Sequence, residues 1–292
     1  MENLRDIKTR ISGVQEIQKI TRAMKMVATS KFKKAEKRIE TTRGYIEEIF
    51  RIYNRVLHQE PMRHDPFYEQ RKEKGTTGIL IVTADKGLCG GFNANMIRYA
   101  KEVLAQALEG GGSVNLLLAG KKGRSHFIRN SDYEILMEEI GLFSALSYLH
   151  ARTLADCCIK NFLSGNVNRV WMVFTGYRSA GDFKPCYKEI LPLKDEEADK
   201  ESRPKGPGYI YDPDRQEVLA HLLPAFLTSR IFLYLLQSET AEHVARMNAM
   251  SNASNNAEEL IGDLKIAFNK ARQAAITKEI LDIVGGAEAL GG

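Results

Sequence analysis

The 292-residue sequence has few of the residues that mark disulfide-rich, metal-binding or membrane-spanning proteins. The first thirty residues contain no continuous apolar segment, so we expect neither a signal peptide nor a transit peptide. The most apolar window, residues 218–236, contains His221, Pro224 and Arg230, which is typical of a buried helix and not of a membrane span. No CxxC pair occurs, so we expect free thiols and no metal site at the four cysteines, Cys89, Cys157, Cys158 and Cys186.

Phosphate-binding and catalytic motifs are missing as well. Neither GxGxxG nor GxxxxGK[ST] occurs, and we interpret the glycine-rich stretch of residues 85–92 (DKGLCGGF) as a tight strand-to-helix turn. Cys89 in this stretch has no His or Asp placed to activate it, so a packed thiol is expected. The six histidines are scattered and no carboxylate pair stands out. We therefore predict no catalytic residue.

Charge is present but unevenly distributed. The chain carries 42 Lys and Arg against 37 Asp and Glu, a net charge of +5. Residues 1–43 hold twelve basic and five acidic side chains, so this segment is +7 and the remainder is −2. Such asymmetry indicates an acidic partner for the N-terminal segment: nucleic acid, anionic lipid or an acidic protein surface.

Apolar residues recur at steps of three and four near the N-terminus, and no proline precedes Pro61. This spacing predicts one helix of about 55 residues, roughly 80 Å long. The basic run at residues 31–38 lies on this helix. We interpret it first as the solvated face of a coiled coil, second as a face toward an acidic partner, and third as a nucleic-acid site. The predicted apolar stripe is Leu4, Ile7, Ile11, Val14, Ile17, Ile20, Met24, Val27, Ala35, Ile39, Ile46, Ile49, Tyr53 and Val56.

A second long stripe follows Asp212-Pro213, which resembles a helix N-cap with proline in the first turn. The stripe continues to Val284, before Gly285-Gly286, and predicts a helix of about 70 residues, roughly 105 Å long, with a kink at Pro224. Residues 251–256 (SNASNN) have low helix propensity, but the three-four spacing keeps its phase through them.

The middle of the chain alternates between strand and helix patterns, which indicates a mostly parallel sheet with crossover helices. The last strand follows a turn-like SAGD sequence and should form an antiparallel edge hairpin, and residues 194–208 should form a mobile loop. The predicted strands are residues 77–84, 113–119, 133–138, 169–177 and 186–191, and the predicted helices are residues 93–108, 124–129 and 146–163.

These elements predict an α/β protein with a long antiparallel coiled coil of N- and C-terminal helices plus a Rossmann-like α/β domain. The domains would be residues 1–60, 61–211 and 212–292. Because the C-terminal helix is the longer, roughly 20 Å of it should overhang its partner. An apolar single helix needs a sleeve supplied by another molecule. The overhang would include Ile280, Leu281, Ile283, Val284, Ala287 and Leu290.

Several stretches, in order and over nearly the whole chain, resemble the γ subunits of F-type ATP synthases. The match is specific because it combines five long motifs and does not rest on one short pattern. The motifs are LRDIKTRI (residues 4–11), ITRAMKMV (20–27), DKGLCGGFN (85–93), EHVARMNAM (242–250) and NKARQAAITKEI (269–280).

The resemblance implies a rotor with no catalytic, cofactor-binding or metal-binding residue of its own. The terminal helices would turn inside an α3β3 hexamer, and the α/β domain would contact the ε subunit and the ring of c subunits. Motif positions imply contacts with β loops at Met24, Lys25, Arg246, Arg272, Gln273, Thr277 and Asp282. They imply an apolar bearing at Ile280, Ile283, Val284 and Leu290, and a foot on the c ring at Tyr209, Tyr211 and Asp212.

The resemblance also implies a location. No inserted segment with a regulatory cysteine pair is present, and the N-terminus has no transit signal, so a bacterial protein at the cytoplasmic face of the cell membrane is expected. On the residues alone, two alternatives remain open: a nucleotide-binding α/β enzyme with coiled-coil arms, and a nucleic-acid-binding coiled coil.

Overall fold

The structure, a computed structural model, describes residues 4–59, 65–71, 75–109, 111–130, 132–193, 211–212 and 214–291, with the backbone alone at 57–59, 130, 215 and 287–291. The predicted mobile loop at 194–208 lies outside these residues. Helices are α1 (Leu4–Gln59), α2 (Phe92–Glu109), α3 (Lys121–Asn130), α4 (Tyr148–Leu163) and α5 (Arg215–Gly291). Strands are β1 (Thr76–Val82), β2 (Ser113–Ala119), β3 (Glu134–Glu139), β4 (Arg169–Ser179) and β5 (Asp182–Leu191).

The five strands form one sheet in the order β3-β2-β1-β4-β5. The first four strands are parallel, and β5 pairs antiparallel with β4, so the predicted edge hairpin is confirmed. Its turn is tighter than predicted, because Ser179 already pairs with Asp182. Pro185 lies in β5, where a residue without an amide hydrogen is tolerated because the strand is at the edge.

Both faces of the sheet are buried, as continuous apolar strands require. One face packs on α2 and α3, with Ile79, Leu116 and Val173 at its centre. The opposite face, with Leu80, Leu117 and Met172, packs on residues of α1, α4 and α5. This alternation along each strand is the period-two pattern of a sheet covered on both sides.

Helix α5 contributes many of the buried residues that pack against the sheet. Residues 226–232 and 235–245 of α5 are buried almost without interruption, which confirms the predicted buried helix. The Tyr53 ring of α1 stacks on Phe226 of α5 at a centroid distance of 3.7 Å. One 18-residue window of α5 is apolar enough to cross a membrane, with a mean hydropathy of 1.6, but 56% of it is buried inside the protein. A buried core helix meets the same criterion.

Contacts divide the chain into two compact units. Unit 1 contains residues 1–29 and 246–292, and unit 2 contains residues 30–245. Both α1 and α5 contribute residues to each unit. The boundaries at 60/61 and 211/212 drawn from the sequence remain a prediction.

In unit 1, α1 and α5 pack antiparallel. Lys25 Nζ donates to Ser251 Oγ at 3.0 Å, and Gln18 Nε2 lies 3.4 Å from Glu258 Oε2, so the partner number falls as the α1 number rises. The buried or half-buried positions between residues 4 and 28 of α1 follow a three-four repeat: Leu4, Ile7, Ile11, Val14, Gln18, Thr21, Met24 and Ala28.

We call these buried and half-buried positions of α1 the seam. Three residues of the predicted α1 stripe are not part of it. Ile17, Ile20 and Val27 are between 55% and 59% exposed. The apolar stripe moves one residue off the heptad after Val14, and the seam continues through Gln18 and Thr21. The partner helix carries the small buried residues Ser254 and Ala257 in the same unit, and Gln18 lies 3.4 Å from Glu258 there. Polar side chains therefore occupy positions between the helices, and hydrophobicity alone gave the wrong face.

Both ends of α5 also differ from the prediction. Asp214, and not Asp212, caps the helix: its Oδ1 accepts a hydrogen bond from the Glu217 amide at 2.9 Å, and the first turn begins at Arg215. At the other end, the helix runs through Gly285-Gly286 to Gly291. Glycine costs about 1 kcal/mol in a helix, which weakens but does not by itself end it.

Candidate functional site

The last turns of α5 present an exposed apolar surface within unit 1. The side chains of Ile276, Ile280, Ile283 and Val284 are between 48% and 72% exposed. At 100° per residue, these four fall within one stripe about 100° wide, and the exposed Leu281 widens the apolar surface to about 160°. Leu290 of the predicted bearing lies on the helix, but its side chain is outside the described residues. The end of α5 therefore offers an apolar surface to another molecule, and we name it the α5 tip.

Next to the α5 tip, the four predicted β-contact residues are exposed but do not share one face. Gln273 and Thr277 are four residues apart and lie on the same side of α5, whereas Asp282 is about 180° from Gln273. The Thr277 hydroxyl donates to the Gln273 carbonyl at 2.9 Å, so it satisfies its own helix. Arg272 projects about 100° away from Gln273. A partner would have to reach this segment from more than one side.

The predicted contact residues Met24, Lys25 and Arg246 all belong to unit 1. Met24 and Arg246 are half-buried, and the exposed Lys25 bridges to α5 through Ser251. An exposed ion pair, Arg22 to Glu258 at 3.1 Å, joins the same two helices. Basic side chains of α1 therefore link it to α5 as well as facing outward.

A surface that the sequence did not reveal lies next to this seam. The exposed Ile17, Ile20 and Val27, with half-buried Met24 between them, follow their own three-four spacing on α1. A contiguous apolar row on the outside of a helix pair is typical of a surface that contacts another protein. Counting the heptad strictly from Leu4 would have separated this outer row from the seam.

The low-propensity run at residues 251–256 is helical and divides between two faces. Ser254 and the following Ala257 are buried in the helix pair, whereas Asn252, Asn255 and Asn256 are exposed. A polar surface of small residues suits a face that slides past a partner, and in this run the fully exposed residues are the asparagines.

The predicted foot is described in part. Tyr209 lies outside the described residues, Asp212 is exposed, and Tyr211 packs against the core of unit 2. A tyrosine that is anchored in the core can hold an exposed neighbour such as Asp212 at the surface.

The glycine-rich loop after β1 is structural. Asp85 Oδ1 accepts backbone hydrogen bonds from Lys121 at 3.0 Å and from Gly141 at 2.8 Å, which ties the loop to the start of α3 and to the segment after β3. Cys89 is buried, and Asn93 Nδ2 lies 3.3 Å from its sulfur, so the packed thiol is confirmed. The Asp85 carboxylate already accepts from the Lys121 amide at the start of α3, and its negative charge disfavours an anion there.

The described residues contain no group of three His, Cys, Asp or Glu side chains that could hold a metal ion. A cavity of about 530 Å³ beside α2 and α3 is lined mainly by apolar side chains, together with Lys101, His126 and Asp132. Burial and, less strongly, Lys101 lower the pKa of His126.

Unit 2 also contains a polar cluster that local sequence patterns do not indicate. Arg38 of α1 donates to Glu239 Oε2 of α5 at 3.1 Å and to the Leu146 carbonyl, just before α4, at 2.7 Å. On β4, the Tyr177 hydroxyl donates to Glu36 of α1 at 2.9 Å. Burial, followed by the Glu36 carboxylate, raises the pKa of Tyr177 to about 12. These partners are more than one hundred positions apart, so spacing could not reveal them.

Comparison with known proteins gives a consistent family assignment. The family described as "ATP synthase" matches residues 3–290. The chain is 38% identical over 292 residues, and over the full length of both chains, to the ATP synthase gamma chain of Nitratidesulfovibrio vulgaris strain Hildenborough. It is 37% identical over 293 residues, 99% of each chain, to the ATP synthase gamma chain of Chlorobaculum tepidum.

Solved structures share the fold. The chain resembles a chain of the central stalk and c ring of the Tetrahymena thermophila mitochondrial ATP synthase, with a TM-score of 0.59 and 25% identity, covering 80% of this chain and 99% of that one. It also resembles a chain of the Euglena gracilis mitochondrial ATP synthase with a TM-score of 0.67, covering 98% of this chain and 94% of that one. The identity to the second is 18%, so that likeness bears on the fold alone.

Proposed function

The chain belongs to the family of ATP synthase gamma chains, and on that premise we propose that it is the central rotor shaft of an F-type ATP synthase. It transmits torque between the c ring and the α3β3 hexamer, and so couples ion translocation to ATP synthesis or hydrolysis. Its partners are the α and β subunits, the ε subunit and the c ring. The enzyme and nucleic-acid alternatives that the residues left open are not favoured, since the relatives over its full length are gamma chains.

One observation carries this proposal: the antiparallel helix pair of unit 1 has an apolar tip on α5, whose stripe stays exposed among the described residues. A shaft has to keep its own helices paired while its end turns against a partner. Side chains at the seam keep the two helices paired. An apolar stripe without charge lets the end turn against a partner, because dispersion contacts have no directional preference. Ile280, Ile283, Val284 and Leu290 form the bearing in this proposal.

The remaining contact residues are assigned as part of the same proposal. Met24, Lys25 and Arg246 face the acidic loop of β, and the net positive charge of residues 1–43 supports this assignment. Arg272, Gln273, Thr277 and Asp282 meet β loops on more than one side of α5, which suits a shaft surrounded by three copies of β. Tyr209, Tyr211 and Asp212 rest on the c ring.

We further propose that the chain has no catalytic activity of its own and acts within F1 at the cytoplasmic face of a bacterial membrane. The absence of a phosphate-binding glycine motif and the bacterial source of its relatives support this. Nucleotide chemistry then belongs to β, and this chain contributes geometry and stiffness.

Co-expression with the α and β subunits of a related bacterium tests the proposal. We expect a stable α3β3γ complex whose ATPase activity depends on this chain, and no nucleotide binding to the isolated chain by calorimetry. A chain that binds ATP alone, or leaves the ATPase of α3β3 unchanged, would contradict the rotor assignment.

Rotation itself can be tested by a reversible tether. A cysteine replacing exposed Asn252, paired with a cysteine in the facing β loop, should stop turnover when oxidised and release it when reduced. The matched control is the same β cysteine with unmodified Asn252. Unimpaired coupled synthesis in the oxidised, crosslinked state would contradict a turning shaft.

A further inference from the structure

Three other segments of unit 2 form hydrogen bonds to α1 within a single turn of that helix. Arg38 bonds to α5 through Glu239 and to the segment before α4 through the Leu146 carbonyl. Glu36 accepts from Tyr177 at the end of β4. We call Glu36, Arg38, Leu146, Tyr177 and Glu239 the collar.

The two α1 residues of the collar point to nearly opposite sides. Glu36 and Arg38 are two positions apart, which is a rotation of about 200° around the helix axis. The hydrogen bonds of the collar therefore oppose rotation of α1 about its axis in either direction. Rotation moves the Glu36 and Arg38 side chains away from their partners on both sides of the helix. The Phe32 ring, one turn earlier, also meets Tyr177 edge-on at 6.3 Å.

A second anchor lies further along the same helix. Tyr53 stacks on Phe226 and its hydroxyl accepts a 2.7 Å hydrogen bond from Tyr68. Tyr53 is 15 residues from Arg38, about 22 Å along the helix. Two anchors at that separation also resist bending, but the stacked rings are apolar and slide more easily than a directional, charge-assisted pair.

The ion pair of the collar contributes little to the free energy of unfolding. Burial raises the pKa of Glu239 even though Arg38, the largest opposing influence, lies beside it. The Arg38 contact thus does not fully offset the hydration that the carboxylate loses. The Glu239 side chain is buried and the Arg38 side chain is 39% exposed, so the net contribution of the pair to the free energy of unfolding should be small.

The identity of residue 38 matters for the arrangement. Lys31, seven residues earlier, occupies the equivalent heptad position and also lies near Glu239. A lysine there could satisfy Glu239 only as a point charge. The planar arginine can hold the carboxylate and the Leu146 carbonyl together, which distinguishes the observed register from one shifted by a heptad.

We infer that Arg38 and Tyr177 are positioning residues that fix the rotation of α1 about its own axis, so that the collar is the joint through which unit 2 passes torque to α1. The inference rests on the proposed rotor function. It assigns to side chains within unit 2 a mechanical role that family membership does not.

The test uses the assembled complex and a conservative double variant, R38K with Y177F. R38K keeps the positive charge but removes the planar guanidinium group that can bind two acceptors at once. Y177F removes only the hydroxyl group. The matched control is E258Q with Y187F. It removes an exposed α1–α5 ion pair of the same 3.1 Å length and a phenol bond that the same β4–β5 hairpin makes to Gln106 of α2.

The readout is torsional stiffness, measured from the angular fluctuations of a bead on an exposed α2 residue while α3β3 is immobilised and arrested by a nucleotide analogue. We expect the angular variance of R38K/Y177F to be at least twice that of wild type, with control variance, complex yield and melting temperature unchanged. A merely stabilising pair would change yield or melting temperature and leave the variance as it was.

A variance equal to that of the control would overturn the inference. If the double variant does not assemble, Y177F alone is measured in its place, and an unchanged variance then has the same meaning. Failure of the proposed function is distinct, because then the wild-type chain itself gives no rotating complex.

Discussion

At the scale of single residues, Glu239 gives a prediction about pH. Its pKa in the folded chain is raised by burial, so the folded state binds this proton more tightly than the unfolded chain. The ionised side chain therefore costs stability at neutral pH, and that cost disappears as pH falls through the raised pKa. We expect E239Q to melt at the same or a higher temperature than wild type at pH 8.

Calorimetry as a function of pH checks this. The advantage of E239Q should shrink between pH 8 and the acid range, because wild-type Glu239 becomes neutral there. E258Q is the control, because it neutralises an exposed carboxylate of the same helix, and at pH 8 it should change the melting temperature little. A constant, pH-independent loss of stability in E239Q would contradict the prediction.

Gly120 gives a second residue-scale prediction. Its φ of +102° lies in the left-handed region, and a Cβ there would stand 2.0 Å from the Thr83 carbonyl oxygen. We expect G120A to lower the free energy of unfolding by more than about 3 kcal/mol, because the clash with backbone adds to conformational strain of about 1–3 kcal/mol. Urea denaturation measures the loss.

Gly111 provides the matched control. Its φ is also positive, +74°, but no described atom lies within 4 Å of the place that an alanine methyl group would take. G111A should therefore show the conformational cost alone, about 1–2 kcal/mol. Equal losses in the two variants would mean that the Thr83 contact is not what excludes a side chain.

At the scale of elements, the N-terminus of α5 depends on Asp214. Its carboxylate accepts from the Glu217 amide, and replacing such a cap with alanine costs about 1 kcal/mol. We expect D214A to lose about that amount in urea denaturation. D212A, two residues earlier in the position that the sequence favoured as the cap, is the control and should lose less than half as much.

Elements were predictable where one local signal dominated. β1 and β2 are continuous apolar runs bounded by polar residues, and their predicted limits agree with the structure within two residues. The cap of α5 was misplaced because Asp212 and Asp214 flank Pro213 and only geometry chooses between them. The face of α1 was misplaced after Val14 because two parallel rows with three-four spacing compete there, and the buried row is the one that contains the polar Gln18 and Thr21.

At the scale of the whole molecule, the α5 tip should decide association. We expect the triple variant I280S/I283S/V284S to bind α3β3 at least tenfold more weakly, since each tenfold corresponds to about 1.4 kcal/mol and burying one such side chain stabilises by about 1.5–3 kcal/mol. Surface plasmon resonance or analytical ultracentrifugation measures the affinity.

Leu260 and Ile266 supply the control, because they are exposed apolar residues on the same helix before the tip. The double variant L260S/I266S should bind with an affinity within threefold of wild type. If it weakens binding as much as the tip variant does, the apolar character of α5 in general, and not the tip, determines association.

The whole-molecule plan was accessible from the sequence because two helices dominate the chain and their motifs are distinctive. The collar was not. Arg38 meets Glu239 across 201 positions and Tyr177 meets Glu36 across 141, so their proximity is a product of the tertiary fold. Charges on helix surfaces are common, and nothing local marked these as partners.

The seam of unit 1 has a last consequence. From Leu4 to Thr21 its positions repeat every seven residues, and only Met24 departs from the repeat before Ala28. A seven-residue repeat is slightly shorter than two full helical turns, so it makes paired helices wind around each other with a left hand. Such a two-stranded rope is chiral: twisting it with its winding tightens the strands, and twisting it against the winding opens them. The helix pair should therefore be stiffer under torque of one sign. Its torsional stiffness should then differ between the rotation directions of ATP synthesis and ATP hydrolysis.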